Sequence, residues 1–375
     1  MAIWLIQSEN IMRVGVPKEI KTQENRIALT PQAVGSLVQA GHQVTVQDGA
    51  GLGSGYRNEE YVAQGATMGS VEAVWDCELV VKVKEPQAPE IARLKKGQAL
   101  FCYLHLAPDP EQTAGLLHSG CTAIAFETVV DRNGRLPLLA PMSEVAGSLA
   151  PQVGAQAMHT WKGGRGVLLG GVPGVMPADV LVLGGGVVGT RAALVAQGMG
   201  ARVTILDRDL DRLKVLDAQF GGRIQTAHGG LLHELIRASD MIIGAVLIPG
   251  AKAPHLVTRQ DLSELRAGAV LVDVAIDQGG CFETSRPTTH QDPTYIVDGI
   301  VHYCVANMPG AVARTSTQAL SAAISPYAMA LAQHGWRDAL KRDAGFAKGL
   351  NVHEGMLFEP NVASAQQLPC ATLSL

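Results

Sequence analysis

From residue 12 onward, short apolar runs alternate with longer amphipathic segments, the pattern of an α/β sheet with parallel strands. In the first third, MRVGVPKE, HQVTVQDGA, ELVVKVKEP, ALFCYLHLA and TAIAFETVV read as strands. TPQAVGSLVQAG reads as a helix, with Thr30 as N-cap, Pro31 in its first turn and Gly41 just past its end. Asp109 and Pro110 open another, DPEQTAGLLHSG. A second series starts at Asp179, where ADVLVLGGGVVGTRAALVAQGMGARVTILD reads as strand, glycine turn, helix and strand. DMIIGAV and AVLVDVAI follow as buried strands. Residues 142–160 read as a long helix bridging the two series, interrupted at Pro151, where an interior proline costs about 3 kcal/mol or a kink. After Pro309 the pattern returns to helix, as in TSTQALSAAISPYAMALAQHG.

A length of 375 residues suits two such domains rather than one. With 47 % apolar and 17 % charged residues, both can fill a core, which argues against long disorder. The net charge of −4 and the lack of a Lys/Arg block give nucleic acid no row of cations to bind. No apolar run reaches the roughly 18 residues that span a bilayer. Met1–Ile11 contains the apolar AIWLI but lacks the basic start and small-residue cleavage site of a secretory signal. It reads as a loose extension ahead of an internal start at Met12, or as an extra edge strand. Six scattered cysteines without a CxxC pair fit a reducing compartment, hence the cytoplasm.

The sharpest local motif is Gly184-x-Gly186-x-x-Gly189. It follows the strand DVLVL and opens the helix TRAALVAQGM, the setting in which such glycines bind a dinucleotide. Gly184 allows the tight turn, Gly186 lets backbone approach a pyrophosphate, and Gly189 lets helix and sheet pack closely. Asp207 ends the next strand, where a carboxylate accepts ribose hydroxyls and repels a 2′-phosphate. That favours NAD over NADP, although Arg208 and Arg212 lie close by.

Other chemistry-bearing residues are weaker as single signals. Arg26 precedes a helix and is either a surface charge or a clamp for a carboxylate. Lys82 and Lys84 alternate in VVKVKEP, so a strand there would put both on one face of a buried sheet. His105 ends LFCYLHLA, at the strand end where α/β sheets place ligands. Asp273 and Asp277 follow one strand and Asn307 another, and the pattern alone does not choose among them. His334 reads as structural, and no metal-ligand cluster is visible.

Taken in order, VGVPKEIKTQENRIALTP, VVKVKEP, YLHLA, LPLLAPMSEVAG, GGRGVLLGGVPGV, AVLVDVAIDQGGCFETSRPTTH and CVANMPG resemble the alanine dehydrogenase family. Pyridine nucleotide transhydrogenase subunits are its near relatives. The resemblance runs from Met12 to about Gly355. It implies two Rossmann-like, doubly wound parallel-sheet domains with a cleft between them. Residues 1–140 would form the first part of a substrate domain and 141–308 an NAD-binding domain. Helices in 309–375 would complete the substrate domain. The implied reaction is reversible NAD-dependent oxidation of L-alanine to pyruvate and ammonium, in a homo-oligomer, commonly a hexamer.

Carried over by position, Arg26 would bind the substrate carboxylate, and Lys84 the carboxylate or keto oxygen. His105 would be the general acid/base, with Asp277 a second essential polar group and Tyr103 an aromatic neighbour of the substrate. Ser143, Gly186, Asp207, Arg212, Val246, Leu247, Ile276, Arg286 and Met308 fall on cofactor positions. Asn307 falls there too and is counted among the substrate contacts. Pro151 and Ala313 depart from the family pattern, the first where a helix former is usual and the second where proline is common. His228 in AHGG is the polar residue left near the adenine side. Three other readings remain: a transhydrogenase-like nucleotide-binding subunit, a non-enzymatic NAD sensor, and a lysine-forming reductase with a larger pocket.

Overall fold

The computed structural model describes residues 11–246 and 254–373. The chain divides into two compact units: Met1–Pro141 with Val312–Leu375, and Met142–Ala311. Strands of the first unit are β1 (Arg13–Val16), β2 (Gln43–Gln47), β3 (Thr67–Gly69), β4 (Leu79–Val81), β5 (Ala99–Cys102) and β6 (Thr122–Ala125). The second unit holds β7 (Asp179–Leu183), β8 (Arg202–Asp207), β9 (Gln225–His228), β10 (Met241–Gly244), β11 (Val270–Asp273), β12 (Thr294–Val297) and β13 (Ile300–Tyr303). The chain then returns to the first unit for β14 (Leu350–His353) and β15 (Met356–Leu357).

In the first unit the strand order is β15-β14-β6-β5-β4-β1-β2-β3. The pairings from β3 to β6 are all parallel. In the second unit the order is β12-β13-β11-β10-β7-β8-β9, parallel except for the β12–β13 edge. Each unit therefore starts in mid-sheet, winds outward one way, and then crosses back to wind the other way. The reversal falls between β1 and β4 in one and between β7 and β10 in the other. Ligands of doubly wound sheets bind at such points, outside the carboxyl ends of the strands. The central strands are buried on both faces, as their unbroken Val/Ile/Leu runs require.

The expected helix caps are present. Thr30 accepts from the Ala33 amide at the start of Pro31–Gln39, and Gly41 follows that helix at φ +95°. Asp109 caps Pro110–Ser119, which stops at left-handed Gly120. The helix expected over 315–335 is present within Ala313–Arg342 and ends its first part at Gly335, whose φ of +70° and ψ of 163° are not helical. Two expectations need correction. The helix Ala140–Ala157 continues through Pro151, which is buried within it and does not end it. The end of the chain contributes more than helices: β14 pairs antiparallel with β6 and carries β15, so this sheet has an antiparallel edge. Val352 and Leu357 of that edge pack in one apolar cluster with Val80, Leu100, Cys102 and Ala123. Among the described residues, no helix is long and apolar enough to cross a membrane. Leu247 and residues 1–10 lie outside the described residues.

Candidate functional site

In the first unit, the residues singled out from sequence lie on the loops that leave β1, β4 and β5. Arg26, on the loop after β1, is buried at 3 % exposure. Its Nε donates to Glu24 Oε1 at 2.7 Å and its Nη2 to Glu24 Oε2 at 2.5 Å, a fork-on-fork pair in which both side chains are buried. The surface-charge alternative for Arg26 is thereby removed.

Strand β4 stops at Val81, so the alternation expected for Lys82 and Lys84 does not apply; both sit on the turn that follows. Their surroundings differ. Lys82 is buried, with Nζ 2.9 Å from Glu19 Oε2 and 3.3 Å from Glu90 Oε2. Burial works against its charge, but those two carboxylates outweigh it and hold the ammonium above its usual pKa. Lys84 is half-buried and 3.6 Å from Glu85, which Lys21 also pairs.

Strand β5 stops at Cys102, three residues short of His105. His105 has a left-handed backbone, φ +49°, and an exposed ring stacked parallel to Tyr103 with centroids 5.6 Å apart. Tyr103 is itself anchored: its hydroxyl donates to Leu138 O at 2.6 Å, and its amide donates to Val83 O on the lysine turn. Burial pushes its phenol well above the usual range. Glu127, beyond β6, accepts from the His105 amide at 2.6 Å and the Leu104 amide at 3.1 Å, and stands 3.8 Å from His105 Nδ1. One carboxylate thus holds the unusual backbone and stands beside the imidazole, beyond hydrogen-bond reach.

In the second unit the glycine turn leaves β7 at its reversal point. Gly184 has φ +97°, and a Cβ there would strike Ala245 O, one residue before Val246 on the neighbouring β10 loop. A Cβ on Gly189 would lie 1.8 Å from Gly184 O, which is why helix Val187–Gly198 can start so close to the strand. Above Gly186 nothing lies within 4 Å, and this residue caps the helix with no side chain of its own. Asp207, ending β8, accepts from the Gly185 amide at 2.7 Å. Arg212 reaches back to Gly185 O at 2.6 Å and Thr190 Oγ1 at 2.8 Å, so it braces the turn rather than projecting as a free cation. Open amide space above a helix start, with a carboxylate beside it, fits a dinucleotide's pyrophosphate and ribose.

The remaining residues of this unit occupy loops past β10, β11 and β13, and the first turn of helix Ala140–Ala157. Ser143 lies one turn before Gly147, where a Cβ would strike Val188 O on the glycine-turn helix. Asp273 is buried and accepts from the Ala275 and Cys281 amides and from Ser285 Oγ, organising its own loop. Burial raises its pKa against those bonds. Asp277, on the short turn Ile276–Gln278 beside buried Ile276, is exposed. Arg286 lies 4.0 Å over the Tyr295 ring. Asn307 has φ +58°, and its carbonyl is 3.3 Å from His290 Nε2, with buried Met308 next to it. His233, Asp261 and Glu264 also converge, but Glu264 is paired to Arg237 at 2.8 Å.

Sequence profiles match this chain in two stretches. The one described as "Alanine dehydrogenase/PNT, N-terminal domain" covers residues 15–146, and the corresponding C-terminal domain covers 150–360. The chain belongs to the alanine dehydrogenase/PNT family. An alanine dehydrogenase of Halomonas elongata is 58 % identical, covering 94 % of this chain and 96 % of its own. That of Mycolicibacterium smegmatis is 53 % identical, covering 96 % and 98 %. A solved L-alanine dehydrogenase superposes with a TM-score of 0.92 at 49 % identity, over 95 % of this chain and 99 % of that one. A transhydrogenase from Sinorhizobium meliloti shares the fold, with a TM-score of 0.81 at 24 % identity.

Within this family frame, Glu19, Glu24 and Glu127 are the residues that reading the sequence missed. Each acts by holding a neighbour, and no spacing rule marks a carboxylate whose partner is 63 residues away, as Lys82 is from Glu19.

Proposed function

We propose that this chain catalyses the reversible NAD-dependent oxidation of L-alanine to pyruvate and ammonium, with His105 as general acid/base. Its curated relatives support an NAD-dependent oxidoreductase. The observation that carries the finer reading is that Arg26, Lys84, Tyr103 and His105 lie on loops beyond the carboxyl ends of β1, β4 and β5, at and next to one sheet's reversal point. That set suits a small carboxylate bearing an amine or keto group. NAD would be held at Gly184, Gly186, Gly189 and Asp207, and supplies the hydride acceptor when bound.

Arg26 and Lys84 fix the carboxylate and polarise the keto oxygen, a positional and electrostatic contribution. His105 takes a proton from the substrate ammonium, since an imine forms only from the free amine. The lone pair of a neutral imidazole nitrogen accepts that proton. The same ring then returns protons as water adds and ammonium leaves. Glu127 holds the His105 main chain, and the stacked Tyr103 ring supports the imidazole. Asp277 supplies a second polar group on the cofactor-binding unit. Five of the six cysteines are buried free thiols, which supports a reducing, cytoplasmic setting.

The test is NADH formation from L-alanine and NAD at mildly alkaline pH, with NADP, glycine and lysine in parallel. Turnover with alanine and NAD, and weak leakage to glycine, is expected, because one methylene discriminates by only about 1–3 kcal/mol. Tight NADH binding without alanine turnover would remove the assignment.

A further inference from the structure

Two buried charges that the mechanism leaves unused surround the main chain of Lys84. Glu19 Oε1 accepts from the Val83 amide at 2.6 Å and the Lys84 amide at 3.3 Å. Its other oxygen accepts from Lys82 Nζ at 2.9 Å. The same ammonium donates to the carbonyl oxygen of Lys84 at 2.9 Å. Glu90, 3.3 Å from that ammonium, supplies the second counter-charge. The Lys84 peptide is therefore gripped at its amide by Glu19 and at its carbonyl by Lys82. It lies just beyond the end of β4, where two further backbone bonds, Lys82 N–H to Phe101 O and Tyr103 N–H to Val83 O, still tie the chain to the β5 segment, and the grip of Glu19 and Lys82 is added at Lys84 itself.

A buried ion pair is a poor way to gain stability, because desolvating both charges offsets most of their attraction. Apolar residues of the same size would fill this space as well. What they could not do is donate to a carbonyl and accept from two amides on one turn.

We infer that Glu19 and Lys82 are positioning residues that aim the Lys84 ammonium at the substrate. This rests on the proposed contact between Lys84 and the substrate carboxylate or keto oxygen. The grip acts on geometry before substrate arrives, so its loss appears in KM for pyruvate and alanine rather than in nucleotide binding.

The test compares the wild type with Lys82→Met and with the double variant Glu19→Gln/Lys82→Met. The double variant is made in a Glu90→Gln background, so that all three buried charges go together while an amide oxygen remains for the Val83 and Lys84 amides, and it remains folded if Lys82→Met alone does not. Both variants are expected to raise the pyruvate KM about tenfold, with kcat within about threefold and the NADH KM within about twofold of wild type. In a Lys84→Ala background, Lys82→Met should add no further rise, because the two residues act through one group. An unchanged pyruvate KM in folded double variant, or a rise that simply adds to that of Lys84→Ala, would overturn the inference. A wild type that does not turn over alanine or pyruvate would instead overturn the functional reading on which it rests.

Discussion

The two sheets share one winding and place their functional loops at the same kind of reversal point, yet furnish those points in opposite ways. After β1 and β4 the first unit sets charges: Arg26 locked to Glu24, Lys82 between Glu19 and Glu90, and Lys84 beside Glu85. After β7 the second unit sets, among the described residues, a glycine turn, main-chain amides and one carboxylate. A small carboxylate substrate needs fixed side-chain cations and a proton carrier. A pyrophosphate needs main-chain N–H groups and the absence of side chains. One topology serves both because function sits in the loops rather than in the sheet.

This contrast can be broken most severely at Gly189. In Gly189→Ala the new Cβ would sit 1.8 Å from Gly184 O, and backbone cannot yield there as a side chain could. We expect a loss above about 4 kcal/mol in the second unit. Calorimetry should show an early transition and NADH fluorescence no binding, while the first unit keeps its own melting.

Arg26→Ala attacks the other side of the comparison. It leaves the Glu24 carboxylate buried without its fork partner, a loss of about 3–5 kcal/mol. Pyruvate binding should collapse with NADH affinity little changed. An unchanged pyruvate KM would detach Arg26 from the substrate.

A milder test is Glu127→Gln, which keeps an acceptor for the Leu104 and His105 amides but removes the charge beside the imidazole. With that charge gone the imidazolium formed during turnover loses its neighbouring carboxylate, so kcat should fall roughly tenfold while NADH still binds. His105→Ala should abolish turnover with the same nucleotide affinity. Equal rates in Glu127→Gln and wild type would reduce Glu127 to a loop anchor.

The smallest effect is a pH dependence that each unit contributes through one buried acid. Burial raises Glu90 in the first unit and Asp273 in the second above the ordinary carboxylate value. Between that ordinary value, about 4, and the raised one, the folded state binds more protons than the unfolded chain. The contribution of each group is therefore fully present below the window and lost as pH rises through it. Asp273→Asn should flatten that decline in melting temperature for the second unit alone. A slope identical to wild type would contradict the assignment.

Much of this could be read directly from the sequence where the signal is local. Thr30, Pro31 and Gly41 mark a helix by side-chain chemistry within a dozen positions. The glycine turn and Asp207 form one continuous strand–turn–helix–strand. What stayed hidden depends on distant partners. Lys82 and Lys84 looked equivalent because alternation assumes a strand, and β4 ends at Val81. Asp273 and Asp277 looked equivalent because nothing nearby reveals that Cys281 and Ser285 fold back onto the first. Glu127 is silent in sequence, since it matters only through a loop leaving a different strand. Pro151 looked like a break because the penalty is known and the surrounding packing is not.

The return of the chain to its first sheet also sets an order of events during synthesis. Strand β6 is completed early, but its neighbour β14 is made only after the whole second unit: Thr122 bonds His353, 231 residues later. Until then β6 is an open edge that can recruit a strand from another chain. Meanwhile Met142–Ala311 has every strand it needs in one stretch and can fold on the ribosome while its host waits. Closing the first sheet is thus the late, long-range step. Slowed synthesis or loss of β14 would leave a folded insert inside an unfinished, aggregation-prone host.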